Sequence, residues 1–529
     1  MSRETFAKTA PGAAMPWRRT SGVLAFALLG ALTGCEKEAK PAEAPVAQPA
    51  PQTRTVTLLV TGSANGQLLP STEGEKQTGG AAELMGRWRA EEKHCVGPVD
   101  EKGQAAFESP ATLALAIGDH WNGPALSSFF YGETTAAVMR QMGFAASALG
   151  NHELDYGREQ FLKNREIGGF PFLAANLKVK DEALAKDWEL PGFKVFERQG
   201  MKVGVVGLTP AKTVSTAMAG RADGLEVVGY EEALSSAVPE ARKAGADAVV
   251  VVADVCPTDL EPVLSQHPEW KVSLVAGGRC RPAVEDSTKA GTTYVSLGRG
   301  FGQYLRASFT FDPSKPDGER VKAMETKRVE VTGGEGAPEA FGPTTELIAE
   351  LQKRLDKALG EEIGFTKKGL AQDSKELGLW AAKAMQATLE TDGAILNRNG
   401  FRQGLAAGPV TKGSVYSVLP YENSLLVVKL KGEDLAKQLS NEQAVFAGFK
   451  PAGKGKFKDA KGKPLDPKKE YEVATVEYLY FGGDGFEFEK LDPEPGETGM
   501  SWQTPVIEWT RKQATSKRKP LEKLLRQAR

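Results

Sequence analysis

Two hydrophobic patterns alternate along this chain. Thr55–Val60, Ala111–Ile117, Ala145–Leu149, Lys202–Leu208, Ala248–Ala253 and Val272–Ala276 are short apolar or β-branched runs, and they predict buried strands. Helix-length segments separate several of them, so the pattern predicts an α/β domain. The strand runs end in polar turns. Thr61-Gly62-Ser63-Ala64-Asn65-Gly66 follows the first, Gly118-Asp119 the second, Gly150-Asn151-His152-Glu153 the third, and Gly277-Gly278 the last. In such sheets the polar residues at strand carboxyl ends converge on one crevice. Ser63, Asn65, Asp119, Asn151, His152, Asp254, Arg279 and Arg281 are therefore predicted to share a site. Further on, residues 312–340 carry Pro, Gly and charge and read as a boundary. Leu347, Ile348, Leu351, Leu355 and Leu359 then fall at helical spacing over Thr344–Leu359. Beyond them Leu377–Met385 predicts a helix, Gly413–Leu419 a strand, and Tyr471–Tyr480 leads into a glycine-rich turn.

The N-terminus follows a different rule. Arg18 and Arg19 precede the apolar run at 22–32, which is too short to span a bilayer and reads as a signal peptide. It ends in Leu32-Thr33-Gly34-Cys35, which resembles a bacterial lipobox, with Cys35 as the lipidation site. That implies an exported lipoprotein, anchored on the periplasmic or cell-surface face. Residues 36–54, rich in Ala, Pro, Glu and Lys, read as a disordered tether.

Composition narrows the classes. With 41% hydrophobic residues the 529-residue chain is globular, and 67 Lys+Arg against 68 Asp+Glu leave a net charge of -1, so no basic surplus points to nucleic acid. Four cysteines exclude a disulfide-built scaffold. Once Cys35 is lipidated, Cys95, Cys256 and Cys280 allow at most one internal disulfide, whose pairing is not readable. Arg511–Arg529 holds eight basic residues and one acidic. It reads as a solvated, frayed tail, with contact to anionic lipid headgroups as the alternative.

Gly150-Asn151-His152-Glu153-Leu154-Asp155-Tyr156-Gly157, followed by Phe170–Leu177 and Val203–Pro210, resembles the bacterial 5′-nucleotidase/UDP-sugar hydrolase family. The resemblance covers roughly residues 55–500. It implies a calcineurin-like metallophosphoesterase domain, an α/β/β/α sandwich, over 55–330. A linker with a helix (331–362), a smaller 5′-nucleotidase-type α/β domain (363–510) and the basic tail (511–529) follow the signal peptide (1–35), tether (36–54) and first domain.

The resemblance also implies a site, and here the sequence departs from the pattern. Family members hold two divalent ions that activate water and clamp phosphoryl oxygens. Asp119 and Asn151 remain, and Asp254 stands where a His is expected. Ser63 and Asn65 replace an Asp and a His, and Arg279 and Arg281 replace two more. A guanidinium has no lone pair to give and stays charged. Either the arginines grip a phosphate, or they only satisfy the leftover carboxylates. A divalent ion such as Mn or Zn at reduced occupancy on Asp119, Asn151 and Asp254, or no metal, are both open. His152 and Asp155 match the catalytic pair, in which the His stabilises phosphoryl charge; a purely structural pair is the alternative.

In the second half Asn397-Arg398-Asn399-Gly400-Phe401-Arg402, Pro420-Tyr421-Glu422-Asn423 and Gly482-Gly483-Asp484-Gly485-Phe486 match the family's base-binding stretches. The carry-over makes Tyr421 and Phe486 stacking rings, with Asn397, Arg402 and Asp484 as polar partners. The alternative is that both rings are core aromatics. Leu379 and Lys383 replace a polar Asn and Asp of the family's helix. Two functions follow from different classes: a lipoprotein that binds a nucleotide or nucleotide sugar at the domain interface with hydrolysis weak or lost, or an active, divergent phosphohydrolase. No nucleic-acid partner is expected, and the sequence names no protein partner.

Overall fold

The structure is a computed structural model of the 529-residue chain. It describes residues 53–73, 76–97, 111–180, 188, 190–216, 221–280, 284, 286–334, 336–421 and 423–527. The signal peptide, Cys35, most of the tether, and Arg281 lie outside the described residues. Contacts divide the chain into residues 1–47 and 48–529, and every described residue belongs to the second unit.

Strands β1 (Arg54–Thr61), β2 (Thr112–Ala116), β3 (Phe144–Ala148) and β4 (Phe172–Leu173) lie side by side in parallel. The chain then builds a second six-stranded sheet from β5 (Phe193–Arg198), β6 (Met201–Leu208), β7 (Ala248–Ala253), β8 (Val272–Gly277), β9 (Ser287–Lys289) and β10 (Thr292–Ser296), in the order β9-β10-β8-β7-β6-β5. It returns to the first with β11 (Gln303–Phe311) and β12 (Val321–Glu330), giving β12-β11-β1-β2-β3-β4.

Strand alternation decides what each face touches. Val56, Leu58 and Val60 meet Val250, Val252 and Leu274 between the sheets. Leu59 and Ala114 point outward to helices α1 (Ala81–Glu92), α2 (Glu133–Gln141) and α3 (Gly157–Gly168). Val249 and Val251 point to α4 (Tyr230–Lys243) and α5 (Pro257–Gln266) on the other side. The result is the four-layer α/β/β/α sandwich that the resemblance implied.

Helix α6 (Gly342–Leu359) buries Ile348, Leu351, Leu355 and Leu359 against the sandwich. A second body follows. Its sheet contains β14 (Gly393–Asn397), β16 (Ser424–Lys431), β17 (Ala444–Ala447), β18 (Glu470–Val476) and β19 (Gly496–Ser501), in the order β17-β14-β18-β16-β19; β13 (Glu362–Thr366) pairs separately with β15 (Gly408–Thr411). Helices α7 (Lys375–Leu389), α8 (Lys412–Val418), α9 (Gln503–Lys512) and α10 (Leu521–Gln527) complete it. Among the described residues no helix is long and apolar enough to cross a membrane.

Three expectations are corrected. Residues 312–340 are not a plain boundary, because β12 pairs with β11 along its whole length; as an edge strand exposed on both faces it carries the polar composition of a linker. Gly413–Leu419 is helix, not strand. Thr411 and Ser414 form a capping box, and Val415 and Val418 are buried one helical turn apart. The basic tail is not frayed over its described length. Leu521 and Leu525 are fully buried in the second core, and Glu522 Oε1 accepts the backbone N–H groups of Lys367 and Lys368.

Two buried histidines brace the first sheet. His94 bonds Thr112 Oγ1 at 2.8 Å and Met142 O at 2.9 Å, and His120 bonds Ser147 Oγ at 2.7 Å. Burial pushes His94 down to about 4 and His120 down to about 3. Unfolding exposes imidazoles that take up protons near 6.5, so the unfolded state binds more protons between there and the folded values. Stability is thus retained above about pH 6.5 and falls on acidification, by on the order of 3 kcal/mol per imidazole. Urea midpoints at pH 7 and pH 4 measure this loss, and His94→Gln removes its own share of the difference.

Candidate functional site

The strand ends of both sheets bring most of the expected residues together. After β2, the Asp119 carboxylate accepts the backbone N–H of His152 through Oδ1 at 3.0 Å. After β7, Asp254 accepts a hydrogen bond from Ser63 Oγ at 3.4 Å. After β8, Arg279 reaches into this space. Its Nη1 donates to Asn151 Oδ1 at 2.5 Å and to Asp254 Oδ2 at 2.6 Å, and lies 3.4 Å from Asp119 Oδ2. One guanidinium nitrogen therefore sits among the three side chains expected to hold a cation. Cys256 and Cys280 form a disulfide that ties the turn after Asp254 to the residue after Arg279.

The geometry is built on unusual backbone. Asn65, Asp119 and Arg279 have φ of 47°, 57° and 61°, a left-handed conformation that costs on the order of 1–3 kcal/mol per non-glycine residue. Buried Glu153 holds the turns in place, accepting the N–H groups of Asp119 at 2.9 Å, His120 at 2.6 Å and Gly150 at 2.7 Å. Gly150 has no alternative, since a Cβ there would lie 2.2 Å from Asp119 Oδ1.

His152 Nδ1 lies 2.7 Å from Asp155 Oδ2, and Asn122 Nδ2 donates to the same oxygen at 2.5 Å. The second body closes the site with Arg402. Its Nη2 donates to Asn65 Oδ1 at 2.9 Å, and its Nη1 donates to Tyr421 Oη at 2.7 Å and lies 3.5 Å from His152 Nε2. Between the bodies lies a cavity of about 650 Å³, lined by Asp119, His152, Arg279, Arg402, Tyr421 and Tyr478 among others.

The family model for the 5′-nucleotidase C-terminal domain matches residues 358–491. A 5′-nucleotidase of Vibrio cholerae is 24% identical over 537 residues, covering 90% of this chain and 92% of that protein. Protein UshA of Yersinia enterocolitica is 26% identical over 461 residues, 75% of this chain and 82% of the relative. Residues 358–491 carry the 5′-nucleotidase C-terminal domain, and the chain is similar over most of its length to 5′-nucleotidases. A solved structure of a 5′-nucleotidase precursor from Thermus thermophilus shares the fold, with a TM-score of 0.69 at 21% identity over 88% of this chain and 97% of the other. The two bodies accordingly share the two-domain fold of that 5′-nucleotidase.

Within this family frame a metal does not fit the residues present. Asp119, Asn151 and Asp254 converge, but on the Arg279 guanidinium, which takes the lone pairs that an ion would need and opposes it by charge. Ser63 and Asn65 are spent on Asp254 and Arg402. Among the described residues no group of three or more His, Cys, Asp or Glu side chains is arranged to hold an ion.

Electrostatics follow the same arrangement. Burial pushes the Asp119 carboxyl up, but the charges of His152 and Arg279 outweigh it and hold it well below the usual carboxylate range. Burial and then the Asp119 charge push its neighbour Asp254 up, against Arg279. The same two causes raise Glu153 to about 8, against its three N–H donors.

In the second body Tyr421 lines the cleft, its ring centroid 5.9 Å from His152. Phe486 does not. It is 2% exposed and stacks on Phe488 inside the core. Asp484 is left-handed, with φ 51°, and the cleft is lined by Tyr478 and not by Phe486. Burial and the Asp484 charge raise the Tyr478 hydroxyl to about 12. Asp484 Oδ2 accepts from Asn397 Nδ2 at 2.6 Å, so these two polar candidates bind each other. Sequence reasoning missed Tyr478, Glu153 and Asn122. Only Tyr478 carried a signal, as an aromatic one helical turn ahead of the glycine turn.

Arg279→Ala leaves two buried carboxylates facing each other. Because the arginine side chain is 40% exposed, the expected loss is about 2 kcal/mol rather than the full cost of a buried pair. The Asp119 contribution is present above the unfolded carboxylate value of 3.8 and lost below it, so denaturant curves of variant and parent converge as the pH falls under that value.

Proposed function

We propose that this chain binds a nucleotide or nucleotide sugar in the cleft between its two bodies, with phosphoester hydrolysis weak or lost. The observation that carries the reading is the Arg279 nitrogen at 2.5 Å from Asn151 and 2.6 Å from Asp254, in the place of an activating ion. Among the described residues that line the cleft, the His152–Asp155 pair is the remaining candidate for activating a water. Cys280 is committed to the disulfide and offers no thiolate.

Arg402 is the anion-binding group. Arg279 spends its charge on Asp119 and Asp254, whereas the hydrogen bonds of Arg402 go to Tyr421, Asn65 and His152, and it forms no ion pair among the described residues. Its guanidinium fork suits phosphate oxygens, and Tyr421 and Tyr478 supply rings for a base. The intact His152–Asp155 contact favours a second reading, an active divergent phosphohydrolase.

The full chain carrying Cys35→Ala, titrated calorimetrically with AMP and UDP-glucose, is expected to bind at least one. Arg402→Gln is expected to weaken that binding at least tenfold, and Arg279→Ala to leave it within twofold. Product release with and without Mn2+ is expected to equal that of His152→Ala. Turnover that needs both Mn2+ and His152 would establish the second reading.

Export and lipid attachment belong to the same proposal. Cells expressing the full chain are expected to incorporate labelled palmitate into it, and Cys35→Ala to abolish the label.

A further inference from the structure

A second cavity, of about 710 Å³, opens between helix α7 and strand β17 at the edge of its sheet. It adjoins the nucleotide cleft, since Gln372, Asp373, Arg398 and Phe401 line both, but its chemistry differs. α7 buries Leu377, Trp380, Ala381, Ala384 and Met385 in the core. Another stripe of the helix, Lys375, Leu379, Lys383 and Gln386, lines the cavity at spacings of four, four and three. It runs about 16 Å at 1.5 Å per residue. Across from it β17 contributes Val445 and Phe446, which like Leu379 are only half-buried.

Charge marks the cavity as well. Its lining holds Lys375, Lys383, Arg398 and Lys450 against one carboxylate, Asp373. Lys383 is the informative member. It is half-buried and forms neither an ion pair nor a side-chain hydrogen bond among the described residues, and burial pushes its ammonium down. A cation drawn partly out of water beside apolar side chains loses hydration with nothing in return. An anion with an apolar body restores the missing partner and covers Leu379, Val445 and Phe446.

We propose that this cavity binds a small amphipathic anion, an apolar chain or ring bearing one carboxylate or phosphate, with the anionic group at Lys383 and the apolar part against Leu379, Val445 and Phe446. Volumes of roughly 300–1,000 Å³ suit ligands of this class. The site is separate from the nucleotide cleft, and the proposal does not rest on how that cleft functions.

The test uses the full chain carrying Cys35→Ala in detergent-free buffer, titrated calorimetrically with decanoate, decyl phosphate, decanol and decyltrimethylammonium. At least one anion is expected to bind tenfold or more tightly than decanol and the cation, and the two anions rank carboxylate against phosphate. Lys383→Glu is expected to weaken the preferred anion at least tenfold, while Lys383→Arg retains it and both leave AMP affinity within twofold. Leu379→Asn probes the apolar wall independently, with an expected loss of at least threefold for the preferred anion. Binding of cation and anion alike, no binding of either anion, or full retention in Lys383→Glu would overturn the proposal.

Discussion

One guanidinium, that of Arg279, holds the strand ends of both sheets together. Two buried carboxylates, Asp119 and Asp254, approach each other from strands of different sheets, and neither sheet can give way because both are packed on two faces. Like charges at this distance in a dry interior need a cation or a proton. Arg279 supplies the cation, while burial and then the Asp119 charge push the Asp254 carboxyl up against it. A dication and a guanidinium both neutralise such a site, but only the dication accepts lone pairs and acidifies water. With Arg279 in place the carboxylates are balanced by a guanidinium, a group that has no vacant orbital to offer a water.

The scaffold around this pair is correspondingly stiff. Glu153 draws three backbone N–H groups from the turns after β2 and β3 onto one carboxyl, and the Cys256–Cys280 bridge ties the turns after β7 and β8. Left-handed backbone at Asn65, Asp119 and Arg279 persists because these contacts over-determine it. A site held this firmly presents a fixed surface to the second body. That body answers with Arg402, whose contacts to Asn65 and Tyr421 join the two halves of the cleft through one side chain.

Strand and helix periods were legible where one face or both faces are buried. Ala248–Ala253 and the Thr344–Leu359 helix read correctly for that reason. They failed where tertiary contacts or local capping outweighed composition: β12 is a polar edge strand, Gly413–Leu419 is wound into helix by its capping box, and the basic tail is docked by Leu521, Leu525 and Glu522. In the cleft the glycine turn was recognised from its residues, but burial of Phe486 against Phe488 depends on the packing of the second core, so Phe486 stood in for Tyr478.

By itself the sequence determined the sheet strands, the convergence of their carboxyl ends, and the family, because periodicity and short polar motifs are local properties of the chain. It also placed two arginines, Arg279 and Arg281, just after a strand end, and a guanidinium has no lone pair to give a metal. Only the tertiary structure decided what the substitutions do. Whether Arg279 grips a ligand or closes on Asp119, Asn151 and Asp254 depends on distances between separate strands, and those distances are set by packing across the sandwich. The pairing of Cys256 with Cys280 and the cavity beside Lys383 arise in the same way, from segments that meet only once the layers have assembled.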